Sequence, residues 1–515
     1  MEVFFQRFPY LCFGIFDQLD DQNLAKSKEV SPTWCNFINS EKLWWIRKIQ
    51  NYANEDMNED PDVWKKVIFG TPNEIVKDLA TASRQFYRFH KKGRNYSPLH
   101  IAAYSGDLQS CMQIHTKLKL KDTKCKEGCP PVYWAAKGGK IENYRYLMKN
   151  LKDINPASNQ GFTPLYLAAA NGHFDICKLI INNVDNKNPA IHNGTTPLFI
   201  AAQEGHFDIF KLIIEKIDDK NPANNNGSTP LFVAAQNGHF DICRLIIDNL
   251  DEKNPANNDG DTPLHVASHN GHFNICKFII GNLDNKNPEN SRGVTPLFFA
   301  AQKGHFDICK FIIDNVDEKN PANNDGYTPL YVAASHGQYE ICKLIGSNVE
   351  NKNPSSNNGT SPLHIAAKMG FYDICKFIID NVNEKNPAKD NGFTPLHLAA
   401  SHGHLEICKL IIDVVDNKNP KDNVGSTPLH LAAESGNLDV CKIIIDNIND
   451  ISPEDNNGHT PLYIAAQNGH LGIFKFINQL PREKSKLCLC QTKLLCFFRA
   501  LQICLFLSVL FYWLI

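Results

Sequence analysis

His265, His269 and His272 have the i, i+4, i+7 spacing that would set three imidazoles on one helix face, as a metal site requires. Glycine at 271 interrupts that face, and two of the three recur along the chain. His265 ends a repeated Thr-Pro-Leu-His, and His272 belongs to a repeated Gly-His, so both read as framework and only His269 is additional. Cys125 and Cys129 form an isolated pair with no second pair at finger spacing, which argues against a zinc finger. No metal and no cofactor are therefore expected. The chain has 17 cysteines, but nine of them (Cys111, Cys177, Cys243, Cys276, Cys309, Cys342, Cys375, Cys408 and Cys441) hold one repeated position, where Tyr144, Phe210 and Phe474 substitute. A slot that accepts cysteine or an aromatic is an apolar core slot, and so many thiols point to a reducing compartment. Asn95, Asn193, Asn226 and Asn358 begin glycosylation sequons, and three of these are the Asn-Gly of a repeated turn. No phosphate-cradling glycine loop, nucleophile elbow or kinase motif is present. The balance of 53 basic against 55 acidic residues leaves no basic excess for nucleic acid. Neither an enzyme, a nucleic-acid binder nor a small-molecule site is expected.

The elements that carry these residues follow from one period. Proline recurs every 33 residues from 98 to 461, marking twelve tandem copies within residues 94–489. In the copy around Pro230, Thr229 is placed to cap the first amides of a helix, and proline at the first helical position loses nothing. Leu231, Ala234 and Ala235 share a face, the alanines permitting close approach, and Gly238 stops the helix. Phe240, Ile242, Cys243, Leu245, Ile246 and Ile247 supply a second helix with a broad apolar face. Asn254-Pro255 and Asp259-Gly260 bracket a turn before the next copy. The prediction is an all-α solenoid of helix-turn-helix units joined by hairpin-like loops.

This unit, with its Gly turn, Thr-Pro-Leu-His, Ala-Ala, Gly-His and Ile/Leu run, closely resembles the ankyrin repeat over about three quarters of the chain. The resemblance implies a curved array that binds a protein partner on its concave face and loop tips. The matching positions at the end of the first helix vary between copies: Gln203, Gln236, His269, Gln302, Ser335, Lys368, Ser401, Glu434 and Gln467, preceded by Tyr104, Lys137 and Ala170. The expected loop-tip set is Phe162, Asp261, Val294, Tyr327, Phe393 and His459. The first two copies diverge most, Trp134, Lys137 and Lys140 breaking the pattern, which is expected of a capping end.

Residues 1–50 lack the period and suggest a trio of short helices. Phe8-Pro9, Ile15-Phe16, Leu19, Leu24, Val30-Ser31, Trp34 and Leu43-Trp44 resemble an F-box, with spacing that agrees from Ile15 to Ile38. The resemblance implies that Pro9, Ile15, Phe16, Leu19, Leu24, Val30 and Trp34 grip the Skp-type adaptor of a cullin–RING ubiquitin ligase. Phe8 in place of the usual leucine and the polar stretch 25–29 depart from the family pattern, and an amino-terminal cap on the solenoid is the alternative. Residues 51–93 read as an acidic linker followed by a capping helix that opens with the Thr71/Glu74 capping box.

Residues 490–515 form a hydrophobic tail. From Leu494 to Ile515 the clear polar intrusions are Arg499, Gln502 and Ser508, and 22 helical residues reach roughly 33 Å, enough for a bilayer core of about 30 Å. Lys484, Lys486, Lys493 and Arg499 lie on the amino-terminal side, so a tail anchor with the repeats on the cytosolic face is expected. A buried or interfacial helix is the alternative. Together these features describe a membrane-held interaction scaffold, or else the substrate receptor of a ubiquitin ligase.

Overall fold

The computed structural model describes residues 98–480, except 107, 109–110, 113–114, 116–123 and 150. The F-box-like stretch, the acidic linker with its capping helix, and the hydrophobic tail lie outside the described residues. Among those described there are only helices, with no strand, and no helix is long and apolar enough to cross a membrane.

Each repeated proline opens a helix of seven or eight residues, from Pro98–Ser105 and Pro131–Lys137 through to Pro461–Gln467. The helix starts there because every donor of its first turn has a partner. In the copy beginning at Pro230, proline has no N–H, the Leu231 amide donates to Asn221 Oδ1 at 2.9 Å, and the Phe232 amide donates to Thr229 Oγ1 at 3.3 Å. Val233 then makes the first ordinary helical bond, to Thr229 O. The helix stops at Gly238, whose φ of 85° any side chain would resist.

The second helix of each unit begins two to three residues later, as in Phe240–Ile247. Ile242, Cys243, Ile246 and Ile247 are buried, whereas Phe240 and Leu245 are only half-buried. The apolar face is thus narrower than the composition suggests. At 100° per residue, positions 242, 243, 246 and 247 form one stripe, and 240 and 245 fall to its flanks. The same flanking aromatic is exposed at Phe174, Phe207 and Phe306.

A Lys-Asn-Pro tripeptide joins one unit to the next and does more than break a helix. Lys220 Nζ donates to Ile214 O at 2.6 Å and Ile217 O at 2.5 Å, capping the outgoing helix, while Asn221 caps the incoming one. Lys187 with Asn188, Lys319 with Asn320, and Lys385 with Asn386 repeat the arrangement.

The chain divides into two compact units, one ending at Asn258 and the other beginning at Asp259. Within each, first helices pack side by side, as Pro197–Glu204 does on Pro230–Asn237 in the first and Pro263–Asn270 on Pro296–Lys303 in the second. Leu198, Leu231, Leu264 and Leu297 and the paired alanines fill the seams and are fully buried. Cys177 in the first unit and Cys276, Cys309, Cys342, Cys375, Cys408 and Cys441 in the second are buried as unbridged thiols, and burial pushes the pKa of the last six up to about 12 and raises that of Cys177 as well.

Candidate partner-binding surface

In several units a histidine from the following unit positions the variable residue at the end of the first helix, although Gln338 and Phe371 stand at that place for Gln302 and Ser335. His239 Nε2 donates to Gln203 O at 3.0 Å, His305 to His269 O at 3.0 Å, His404 to Lys368 O at 2.9 Å and His470 to Glu434 O at 2.8 Å. Where histidine is replaced by Asn437, its amide donates to Ala400 O at 3.1 Å and to Ser401 O at 3.4 Å. At these positions the backbone carbonyl is clamped and the side chain is left to vary. Gln236, Lys368, Glu434 and Gln467 are exposed, and Gln203, His269, Gln302, Ser335 and Ser401 are half-exposed. Several are already ordered: Ser335 and Ser401 donate back to the carbonyls of Val332 and Leu398, and His269 lies edge-on to Phe299 at 5.5 Å.

The Thr-Pro-Leu-His histidine has a different task. His265 Nδ1 accepts from the Thr262 amide at 3.1 Å, which leaves Nε2–H to donate to Val294 O at 3.0 Å. His364, His397 and His430 repeat both contacts. All four are fully enclosed, and burial depresses their pKa values, to about 4 for His364 and His397. With both ring nitrogens engaged, His265 has none to offer a metal. Among the described residues, Cys125, Glu127 and Cys129 do bring three ligand atoms within 4.8 Å of one another. The carboxylate that completes this group is not part of any finger-type spacing.

The loop-tip set is misplaced by two or three residues. Phe162, Tyr327, Phe393 and His459 stand just before the helix cap and lie half-buried against the helix that follows, Phe162 on Tyr166, Tyr327 on Tyr331, Phe393 on His397 and His459 on Tyr463. Asp261 is held by Asn290 Nδ2 at 2.7 Å. Val294 is buried outright, its carbonyl used by His265, so it is not a surface residue. The apex is formed by the residues before the positive-φ glycine, where Arg292 and Val424 are exposed. Asparagines there stitch one apex to the next: Asn225 Nδ2 donates to His192 O at 3.1 Å, Asn357 to Asn324 O at 2.9 Å, and Asn456 to Asn423 O at 3.2 Å. Asn193 and Asn358 fold back on Thr195 and Thr360 in their own turns, so these sequons are engaged in turn chemistry.

One patch joins residues that the sequence reads as the divergence of a capping end. Trp134 meets Tyr104 edge-on at 6.1 Å, and Lys137 Nζ lies 4.8 Å from its ring, an aromatic and cationic group at the variable positions of the first two units. Its tryptophan, in a place held elsewhere by Leu167, Ile200 or Val233, was the available clue. The residues proposed to grip an adaptor, Pro9, Ile15, Phe16, Leu19, Leu24, Val30 and Trp34, lie outside the described residues.

A repeated pair of short antiparallel helices, joined by stitched hairpins, defines an ankyrin-type repeat protein. Comparison with family models agrees: the model for ankyrin repeats (3 copies) matches in overlapping segments running from residues 99–190 to 414–484. The chain belongs to the ankyrin-repeat family. No curated protein matches it significantly.

Proposed function

We propose that the chain is a protein-interaction scaffold that captures its partner on the variable residues of its first helices. One observation carries this reading. The recurring histidines, asparagines and threonines bond within the array, whereas the side chains at Gln203, Gln236, His269, Gln302, Ser335, Lys368, Ser401, Glu434 and Gln467 vary, those at Gln203, His269, Lys368 and Glu434 on a carbonyl clamped by histidine. Rigid presentation lowers the entropy lost on association, which favours a binding surface. The Trp134, Tyr104 and Lys137 group has the composition of an interface anchor. The test is co-purification from cells with the full chain and with a variant carrying alanine at Gln302, Lys368 and Glu434. The reading fails if this variant, folded as judged by circular dichroism, retains every partner of the parent.

In this reading the tail from Leu494 to Ile515 anchors the scaffold at the cytosolic face of a membrane, which its 22-residue apolar length supports. Extraction of the chain by carbonate wash would exclude the anchor. A second reading, substrate receptor of a cullin–RING ubiquitin ligase, is favoured by the ungapped F-box-like spacing from Ile15 to Ile38. It requires the Skp-type adaptor to co-purify with the chain and to be lost on Trp34→Ala or Ile15→Asp substitution.

A further inference from the structure

We propose that Cys125, Glu127 and Cys129 form a binding site for a thiophilic divalent cation of the zinc type, built into the hairpin of the second repeat. The scaffold supplies the geometry. The Cys125 amide donates to Cys129 O at 3.0 Å and the Gly128 amide to Cys125 O at 2.8 Å, with Gly128 at φ 79°. Ser158 and Phe162, Asn224 and Ser228, and Asn323 and Tyr327 are bridged in the same way at 2.8 to 2.9 Å, so the repeat itself sets these two positions opposite each other. In other copies the first of the pair is often an asparagine or aspartate that satisfies the loop, as Asn323 Oδ1 accepts from the Tyr327 amide at 2.8 Å. Only the second repeat has cysteine at both.

The chemistry of the pair differs from that of the other thiols. Core cysteines such as Cys309 and Cys342 are buried in the apolar interior, whereas Cys125 and Cys129 stand across a hairpin that also carries a carboxylate, the Cys129 thiol reaching Glu127 O at 3.9 Å. Three ligand atoms within 4.8 Å need to close by only about 1 Å to meet the separations of a tetrahedral site with bonds of about 2.3 Å to sulfur and about 2.1 Å to oxygen. Glu127 is exposed, while the two cysteines are 4% and 1% exposed and shield the sulfur side. His100 Nε2 donates to Cys129 O at 2.9 Å and fixes the loop from outside. A solvent or partner group would take the fourth position.

The experiment compares the full chain, purified under reducing conditions, with its Cys125→Ser/Cys129→Ser variant. Serine already stands at the matching positions, as Ser158 and as Ser228, so the hairpin tolerates both changes. Each protein is equilibrated with zinc, freed of excess and assayed for bound metal, then titrated with cadmium while thiolate-to-metal absorption is followed. The expected result is one zinc per chain fewer in the variant, loss of the corresponding cadmium absorption, and weaker cadmium binding in Glu127→Gln. Equal metal content in parent and variant, with circular dichroism showing both folded, would overturn the proposal. So would a Cys125–Cys129 disulfide in the isolated protein with no zinc uptake after reduction, which would make the pair a redox couple instead.

Discussion

Acidification should open the array first where Thr-Pro-Leu-His histidines stand in consecutive repeats. His364, His397 and His430 are enclosed, each with Nδ1 accepting from a helix-cap amide and Nε2 donating to a carbonyl 29 residues on. A second proton would turn Nδ1 into a donor and break its bond from the cap amide, leaving only the cap hydroxyl at 2.8 to 2.9 Å to receive it in a fully buried site. Burial is the main cause of the depressed pKa, with Lys389 adding to it at His364 and Asp422 opposing it at His397. Because the folded value lies below the unfolded one of about 6.5, the folded state binds fewer protons. The stability contributed is complete above about pH 6.5 and is lost as the pH falls from there towards 4. With folded values of about 4, linkage at pH 5 gives a loss of about 2 kcal/mol for each of His364 and His397, or about 4 kcal/mol for an opening that releases both. That is roughly a thousandfold in the opening equilibrium. His430 is shifted in the same direction and adds to it. Hydrogen exchange at pH 7.5 and pH 5, corrected for intrinsic rates, should show protection falling steeply in Pro362–Met369, Pro395–Ser401 and Pro428–Glu434. It should fall much less in Pro197–Glu204 and Pro230–Asn237, where Phe199 and Phe232 replace the histidine. His397→Phe should remove about 2 kcal/mol of the pH-dependent loss. Equal acceleration in the histidine and phenylalanine repeats would refute the reasoning.

Three other outcomes follow from the same contacts. His239→Ala should lower stability by about 1 kcal/mol in urea melts by deleting the bond to Gln203 O, and His239→Asn should recover part of it, as Asn437 does naturally. Thr229→Val should cost about 1 kcal/mol through the lost helix cap, with Thr229→Ser nearly neutral by the same assay. Gly205→Ala should cost at least about 1 to 2 kcal/mol, since φ is 78° and the added carbon would stand 2.4 Å from the His239 ring. Full stability in that variant would mean the backbone there is not held left-handed.

Helix boundaries, caps, turn glycines and the core cysteine slot were legible in the residues because each depends on partners within about ten positions. Thr229 and Pro230 announce their helix, and Gly238 ends it, wherever the unit is placed. The candidate surface was legible as variation at Gln203 and its equivalents. What clamps those positions was not, because the His239 bond to Gln203 O spans 36 residues. Val294 reads as a loop tip and is buried because its neighbour across the stack, His265, draws its carbonyl inward.

The same division holds for the metal-type residues. Spacing made a triad of His265, His269 and His272, but stacking consumes both nitrogens of His265. Spacing left Cys125 and Cys129 a bare pair, but the hairpin adds Glu127. By itself the sequence determined a repeating unit of two short helices and its period, since those are set by local hydrogen bonds and by apolar faces that must be covered. Only the tertiary structure decided which histidines brace, which asparagines link one turn to the next and which side chains remain for a partner. Those roles depend on groups brought together from successive repeats, 29 to 36 residues apart along the chain.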